Sequence, residues 1–296
     1  MDYLEKYGYK PSAEDVEAAI RSAQALSSSN ASEEVFRKCF SLMDLTTLKT
    51  DDTAESVSAL VRKTNGILKE FPSYPLPASI CVYPNFASVV RDGRCSAELH
   101  VTTVSACFPS SQSFLEVKLR ECELAVENGA DEVDIVLALN AFLAGDYAGA
   151  FDEISSIRTA IDRKAAEAGR KVTLKVILET GLLSTAENIA RASFLAMEAG
   201  ADFIKTSTGK VSVNATPEAA VVMCRSIAAY LRATGRKGGC KAAGGISNAQ
   251  DALGYYCIVS SILGEEWLNK DLFRFGVSRL GNSLIEAIEG KAVKYF

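Results

Sequence analysis

A short apolar stretch, then a loop, then in most cases a longer amphipathic segment: this unit recurs along the chain often enough to define its architecture. Strands are predicted at 42–48, 79–84, 100–109, 132–137, 172–180, 203–208, 240–245 and 273–278. Helices are predicted from Asp51 and Asp52 to about 67, then at 114–128, 147–168, 185–199, 217–234 and 248–262, with a last one running to about 288. Pro217 sits in a first turn and Gly235 just past a helix end, where each residue is favoured. No helix is assigned between the second and third strands. Strands alternating with helices must lie parallel, because only a long crossover returns the chain to the same sheet edge.

Eight such units in 296 residues, with no Pro/Ser/Gly-rich linker between them, predict an α/β fold closed as a (β/α)8 TIM barrel. The competing open, doubly wound sheet would want a GxGxxG turn after the first strand, and none is there. Residues 1–40 are read as an N-terminal helical extension, with helices over 13–28 and from Ser32 through Lys38. Residues 41–290 form the barrel and residues 291–296 a C-terminal tail.

Composition narrows the partners. A hydrophobic share of 48% can fill a core, and a net charge of −5 without a basic block argues against nucleic acid and membrane surfaces. A phosphorylated ligand would then need a local cationic pocket. The eight cysteines form no CxxC pair and are read as reduced thiols. The N-terminus has the features of neither a signal nor a transit peptide, so a cytoplasmic location is expected.

Five charged residues inside or at the carboxyl ends of predicted strands are singled out: Asp44, Asp134, Lys175, Lys205 and Lys241. The interior of such a barrel is packed and its chemistry sits at the carboxyl ends of the strands. One lysine alone reads as a stem snorkelling into solvent, and the set as a salt-bridged plug. The functional reading is a shared polar site, in which crowding of ammonium groups lowers the pKa of one lysine and frees it as an amine nucleophile. A neighbouring carboxylate such as Asp134 then moves protons through a bound water. Glycines and small residues at 242–247 and 275–280, with Ser278, Arg279 and the Gly209–Lys210 corner, suggest a phosphate site at a helix N-terminus.

The segments LMDLTTL (42–48), ICVYP (80–84), GADEVDIV (129–136), LKVILETG (174–181), GADFIKTSTGKVSVNATPE (200–218), KAAGGI (241–246) and RFGVS (274–278) together resemble the deoxyribose-phosphate aldolases. These are class I aldolases of the barrel fold. The resemblance implies reversible cleavage of 2-deoxy-D-ribose 5-phosphate to D-glyceraldehyde 3-phosphate and acetaldehyde, with no cofactor and no metal. It implies Lys205 as the Schiff-base lysine, Lys241 as the second lysine that lowers its pKa, and Asp134 as the acid/base carboxylate. Asp44, Thr46, Lys175, Thr208 and Lys210 match substrate-binding positions, Lys175 in a supporting role. Gly209, Gly244, Gly245, Gly276 and Ser278 match the phosphate pocket.

Two departures stand out. Ser247 occupies a position where many relatives carry arginine, and Arg279 one where they often carry serine, which suggests that Arg279 meets the phosphate from the other side. Tyr295, a possible proton relay on the tail, is followed here by Phe296. His100 and Cys81 are expected to be structural. Expected partners are a sugar phosphate and aldehydes, with a homodimer possible from the family. The alternatives are another Schiff-base sugar-phosphate aldolase and a catalytically silent barrel serving as a scaffold.

Overall fold

The computed structural model of the protein describes residues 2–296. Eight parallel strands close into a barrel in chain order: β1 (Met43–Thr46), β2 (Ser79–Val82), β3 (His100–Val104), β4 (Glu132–Val136), β5 (Thr173–Ile177), β6 (Phe203–Lys205), β7 (Gly239–Ala243) and β8 (Phe273–Val277). The pairing of β8 with β1 completes the ring. A helix follows each strand: Ala54–Glu70, Ala87–Gly93, Leu115–Glu127, Tyr147–Glu167, Ala186–Glu198, Pro217–Thr234, Ala249–Leu263 and Leu280–Glu289. Side chains alternate along a strand, so each strand feeds two cores. On β4, Val133 and Ile135 join the apolar layer shared with the helices, while Glu132 and Asp134 make their bonds across the barrel interior.

Observed strands are mostly shorter than predicted, and the missing residues have become loop backbone at the barrel mouth. The third strand stops at Val104, where Ala106 and Cys107 adopt left-handed φ of 56° and 61° and the Cys107 N–H donates to Glu121. The fifth stops at Ile177, because Glu179 turns left-handed (φ 53°) into the short helix Thr180–Leu183. The helix Ala87–Gly93 after β2 is new to the structure. It has only seven residues and buries just Ala87 and Val90, too little for a helical period to stand out.

The N-terminal residues belong to the outer shell. Helix Ala13–Asn30 packs on Pro217–Thr234 and Ala249–Leu263, and helix Glu33–Ser41 on Leu280–Glu289. Tyr7 stacks on Phe194 with ring centroids 4.4 Å apart. At the other end, Asn282 Oδ1 accepts the N–H groups of Tyr295 and Phe296, holding the tail along the helix shell.

The first barrel helix begins at Ala54, capped by Thr53, rather than at Asp51 or Asp52. Asp52 is engaged elsewhere: its carboxylate accepts from the Thr47 hydroxyl (2.8 Å) and the Lys49 N–H (2.9 Å), bracing the loop after β1 that helps form the mouth. Thr53 supplies the cap, in a reciprocal capping box with Ser56. Replacing Thr53 with Ala is expected to lower stability by about 1 kcal/mol in urea denaturation, the usual worth of such a cap.

Candidate active site

Strand register sets interior charges on neighbouring strands side by side in two pairs. Asp134 lies beside Lys175, and Lys205 beside Lys241. The long lysine stems let three ammonium groups converge on a single carboxylate. Asp134 Oδ1 accepts from Lys175 (2.9 Å), and Oδ2 accepts from both Lys205 (2.8 Å) and Lys241 (2.9 Å). Asp44 on β1 supports the arrangement: its Oδ2 lies 2.5 Å from Lys241 Nζ and 3.7 Å from Lys175 Nζ, and its Oδ1 accepts from Arg274 (2.5 Å). Gly276, opposite Asp44 on β8, leaves room for the Lys241 stem, since a Cβ there would stand 3.0 Å from Lys241 Cε.

The three lysines differ in surroundings and therefore in proton affinity. For Lys175, burial alone would favour the neutral amine, but Asp134, Glu132 and Asp44 outweigh it and hold the pKa above its ordinary value. Lys241 is likewise shifted up, with Asp134 and Asp44 prevailing over burial. Lys205 is shifted down: burial is the largest cause, and Lys241 adds repulsion that the single partner Asp134 does not cancel. Burial would raise the pKa of Asp134 too, yet its three ammonium neighbours drive it far below the carboxylate range. The amine most easily freed is also the accessible one. Lys205 is 4% exposed, against 0% for Lys175 and Lys241.

Lys205 opens into a cavity of about 360 Å³ at the carboxyl ends of the strands. Thr46 lines it from β1; Thr208, Gly209 and Lys210 from the loop after β6; Gly244 and Gly245 from the loop after β7; Gly276, Ser278 and Arg279 from β8 and its loop. Lys49, which sequence reasoning did not single out, joins them. The cavity thus presents Lys49, Lys210 and Arg279 with no carboxylate among the described lining residues, on a chain whose net charge is −5. Gly244 and Gly245 both take φ of +80°, a conformation that other residues resist. Grooves of about 410 and 440 Å³ flank helix Ala13–Asn30, but no lysine lines them.

Asp44, Lys175 and Lys241 lie beneath this cavity, within the ion cluster rather than among its walls. Tyr295 is not brought to it. Its hydroxyl donates to the Lys63 carbonyl (2.7 Å) and its ring meets Phe71 edge-on, 5.6 Å between centroids, on the outer shell. Ser247 is also outside the cavity wall, with its N–H directed at Asp251. His100 Nδ1 lies 2.7 Å from Glu132 at the start of β3, and Cys81 is fully buried with its thiol pKa pushed up by burial.

Sequence reasoning missed Glu132, Arg274 and Glu179. The first two carried a signal: each stands two residues before an inward-facing position, Asp134 or Gly276, so the strand period points it into the barrel. Glu179 carried none. Its carboxylate accepts from the N–H (3.1 Å) and hydroxyl (2.5 Å) of Thr208, clamping the loop behind Lys205 through a contact that only the fold creates.

A model of the DeoC/LacD family aldolase matches residues 39–254, which include Asp134, Lys175, Lys205 and Lys241. The chain belongs to that family. It is 40% identical over 255 residues to a human deoxyribose-phosphate aldolase, covering 82% of this chain and 77% of the relative. A mouse deoxyribose-phosphate aldolase is 37% identical over 280 residues, covering 89% and 85%. Among solved structures, a deoxyribose phosphate aldolase from Aeropyrum pernix, described as a tetramer, superposes with a TM-score of 0.65 at 24% identity, over 95% of this chain and 98% of that one, and so shares the fold.

In this DeoC/LacD aldolase the Asp134 carboxylate contributes stability above its ordinary pKa of 3.8, a contribution lost as pH falls toward its much lower folded value. Asp134→Asn is expected to cost about 3–5 kcal/mol at neutral pH, by leaving buried ammonium groups short of a partner. Urea denaturation across a pH series should show that deficit constant near neutrality and narrowing only on acidification below about pH 4.

Proposed function

We propose that this DeoC/LacD aldolase cleaves 2-deoxy-D-ribose 5-phosphate reversibly to D-glyceraldehyde 3-phosphate and acetaldehyde, with Lys205 as the imine-forming amine. The observation that carries the assignment is that Lys205 alone combines access to the mouth cavity, a depressed pKa and contact with a fully ionised carboxylate. The neutral amine adds to the C1 aldehyde, and loss of water from the carbinolamine leaves the imine. Asp134, in contact with the amine nitrogen, is placed to take the proton shed as the carbinolamine forms, and Lys241 on the same carboxylate oxygen is placed to return one as water leaves.

Removal of the C3 hydroxyl proton breaks the C2–C3 bond. Its electron pair passes into the iminium as the C3 fragment departs as glyceraldehyde 3-phosphate. The enamine left on Lys205 takes a proton at C2, and hydrolysis releases acetaldehyde and the free lysine. Thr46, Thr208 and Lys210, which line the cavity, are read as the contacts to the sugar hydroxyls. The phosphate is read at Gly209, Gly244, Gly245, Gly276 and Ser278, with Arg279 at the start of helix Leu280–Glu289 supplying charge.

The eight free cysteines, six of them buried, fit a reducing compartment, and the cytoplasm is the location this reading favours. Among the described residues no helix is long and apolar enough to cross a membrane. A homodimer is the assembly the reading favours; Phe114 (78% exposed) and Val117, at the start of helix Leu115–Glu127, offer apolar surface for it.

Incubation with 2-deoxy-D-ribose 5-phosphate and borohydride should fix a two- or five-carbon adduct on the Lys205 peptide, seen by intact mass and peptide mapping. Lys205→Leu should abolish it while the protein stays folded; an adduct that persists in Lys205→Leu, or maps to Lys175 or Lys241, would reassign the amine. Arg279→Ala is expected to raise KM for the phosphorylated sugar tenfold or more, with little change for free 2-deoxyribose, since the charge-assisted contact exists only with phosphate. Equal effects on both sugars would remove Arg279 from the phosphate site.

A further inference from the structure

Below the layer of Asp134, the barrel holds a second tier of charge that lines no part of the cavity and meets the site only from beneath, through Asp44 and Lys175. Arg274 on β8 is 1% exposed. Its Nη2 donates to Glu132 Oε1 (2.6 Å), its Nη1 to Asp44 Oδ1 (2.5 Å) and more weakly to Glu132 Oε2 (3.2 Å). Glu132 on β4 also accepts the Thr102 hydroxyl (2.9 Å), faces His100, and forms an ion pair with Lys175. We propose that Arg274 and Glu132 are positioning residues for the aldol reaction, which set the charge state of Lys205 by fixing the net charge of the buried cluster. The proposal rests on Lys205 being the imine-forming amine.

Ion contacts within 4 Å link Asp44, Glu132, Asp134, Lys175, Lys205, Lys241 and Arg274 into one network. Three carboxylates face four cations, so the fully ionised cluster carries one positive charge in excess. Arg274 cannot lose a proton at any relevant pH, which leaves the excess to be shed by a lysine. Lys175 has all three carboxylates within 4 Å and Lys241 has two, whereas Lys205 shares one oxygen of Asp134 with Lys241. The proton therefore leaves from Lys205. Arg274 is the cation that creates the excess, and Glu132 the carboxylate that confines it to one charge.

The other groups around the network leave this balance standing. The Cys81 thiol facing Lys205 is kept protonated by burial. Lys49, Lys210 and Arg279 across the cavity add potential of the same sign as Arg274. Glu179 is bonded to Thr208, outside the network. At the lower end, Lys270 meets Arg274 only through its backbone carbonyl, its ammonium being paired with Glu98. His100, 28% exposed at its side chain, adds a positive charge beside Glu132 only when protonated.

The two partners of one ion pair must then act in opposite directions on Lys205, which a purely structural role would not produce. In Arg274→Gln the excess disappears, protonated Lys205 becomes the balanced state, and the acid limb of the kcat/KM profile moves to higher pH. In Glu132→Gln the excess doubles and the limb moves to lower pH. A unit charge about 10 Å away at an effective dielectric constant near 20 corresponds to a shift of roughly one pH unit. On the acid limb that is about a tenfold change in the rate of borohydride trapping at fixed pH, down for Arg274→Gln and up for Glu132→Gln. The double variant should return toward wild type, and Arg274→Lys, which keeps the charge, should leave the limb in place.

The experiment is the pH dependence of kcat/KM and of the trapping rate in these four variants, each checked for folding by circular dichroism. Shifts of the same sign in the two single variants, or no shift in either, would overturn the proposal, as would an Arg274→Lys shift equal to that of Arg274→Gln. If Arg274→Gln does not fold, the near-isosteric Glu132→Gln decides alone: a limb that fails to move to lower pH overturns it. A wild-type adduct mapping to a lysine other than Lys205 is a separate result, and overturns the assignment of the amine on which the proposal stands.

Discussion

A single carboxylate shared by three ammonium groups, buried inside the barrel, is the interaction around which the interior of this protein is organised. Asp134 bonds Lys175 through one oxygen and Lys205 and Lys241 through the other. Buried ion pairs are poor stabilisers, because desolvation consumes most of the Coulomb gain. What the cluster does achieve is selectivity among chemically identical groups. In a medium of low effective dielectric constant, small differences in carboxylate contacts become differences in proton affinity. Lys175 and Lys241 are held as cations and Lys205 is pushed toward the free amine.

The crowding of like charges expected from the sequence is present, but it is not the leading cause. Burial weighs more on Lys205 than the repulsion from Lys241 does. Carboxylates keep the other two protonated, Asp134 first for both, followed by Glu132 for Lys175 and Asp44 for Lys241. The barrel also layers its charges by depth. Glu132 and Arg274 lie lowest, Asp134 and its three lysines above them, and the cavity over these is lined by Lys49, Lys210 and Arg279, although the chain as a whole is acidic.

The eight strands were legible because each is a short apolar run between polar loops, and the inward charges were legible because they interrupt those runs. Strand ends were less so. Residues 105–109 and 178–180 still look apolar in sequence, yet the backbone turns at Ala106, Cys107 and Glu179. The cavity residues Thr46, Thr208, Gly209, Lys210, Gly244, Gly245, Gly276, Ser278 and Arg279 come from the carboxyl ends of strands and the loops after them, where barrel topology alone places them together. Tyr295 illustrates the converse. A terminal tyrosine near a barrel reads as able to reach the mouth, but Asn282 and the Lys63 carbonyl hold it on the outer shell.

By itself the sequence determined the strand–helix alternation, the closure that alternation implies, and which residue types enter the interior, since periodicity and polarity are local properties of the chain. Tertiary structure alone decided which lysine has its proton affinity lowered, what Glu132, Arg274 and Glu179 are bonded to, and where the tail lies. Those outcomes depend on distances between residues tens to hundreds of positions apart, such as the 2.5 Å between Arg274 and Asp44, and no local pattern encodes them.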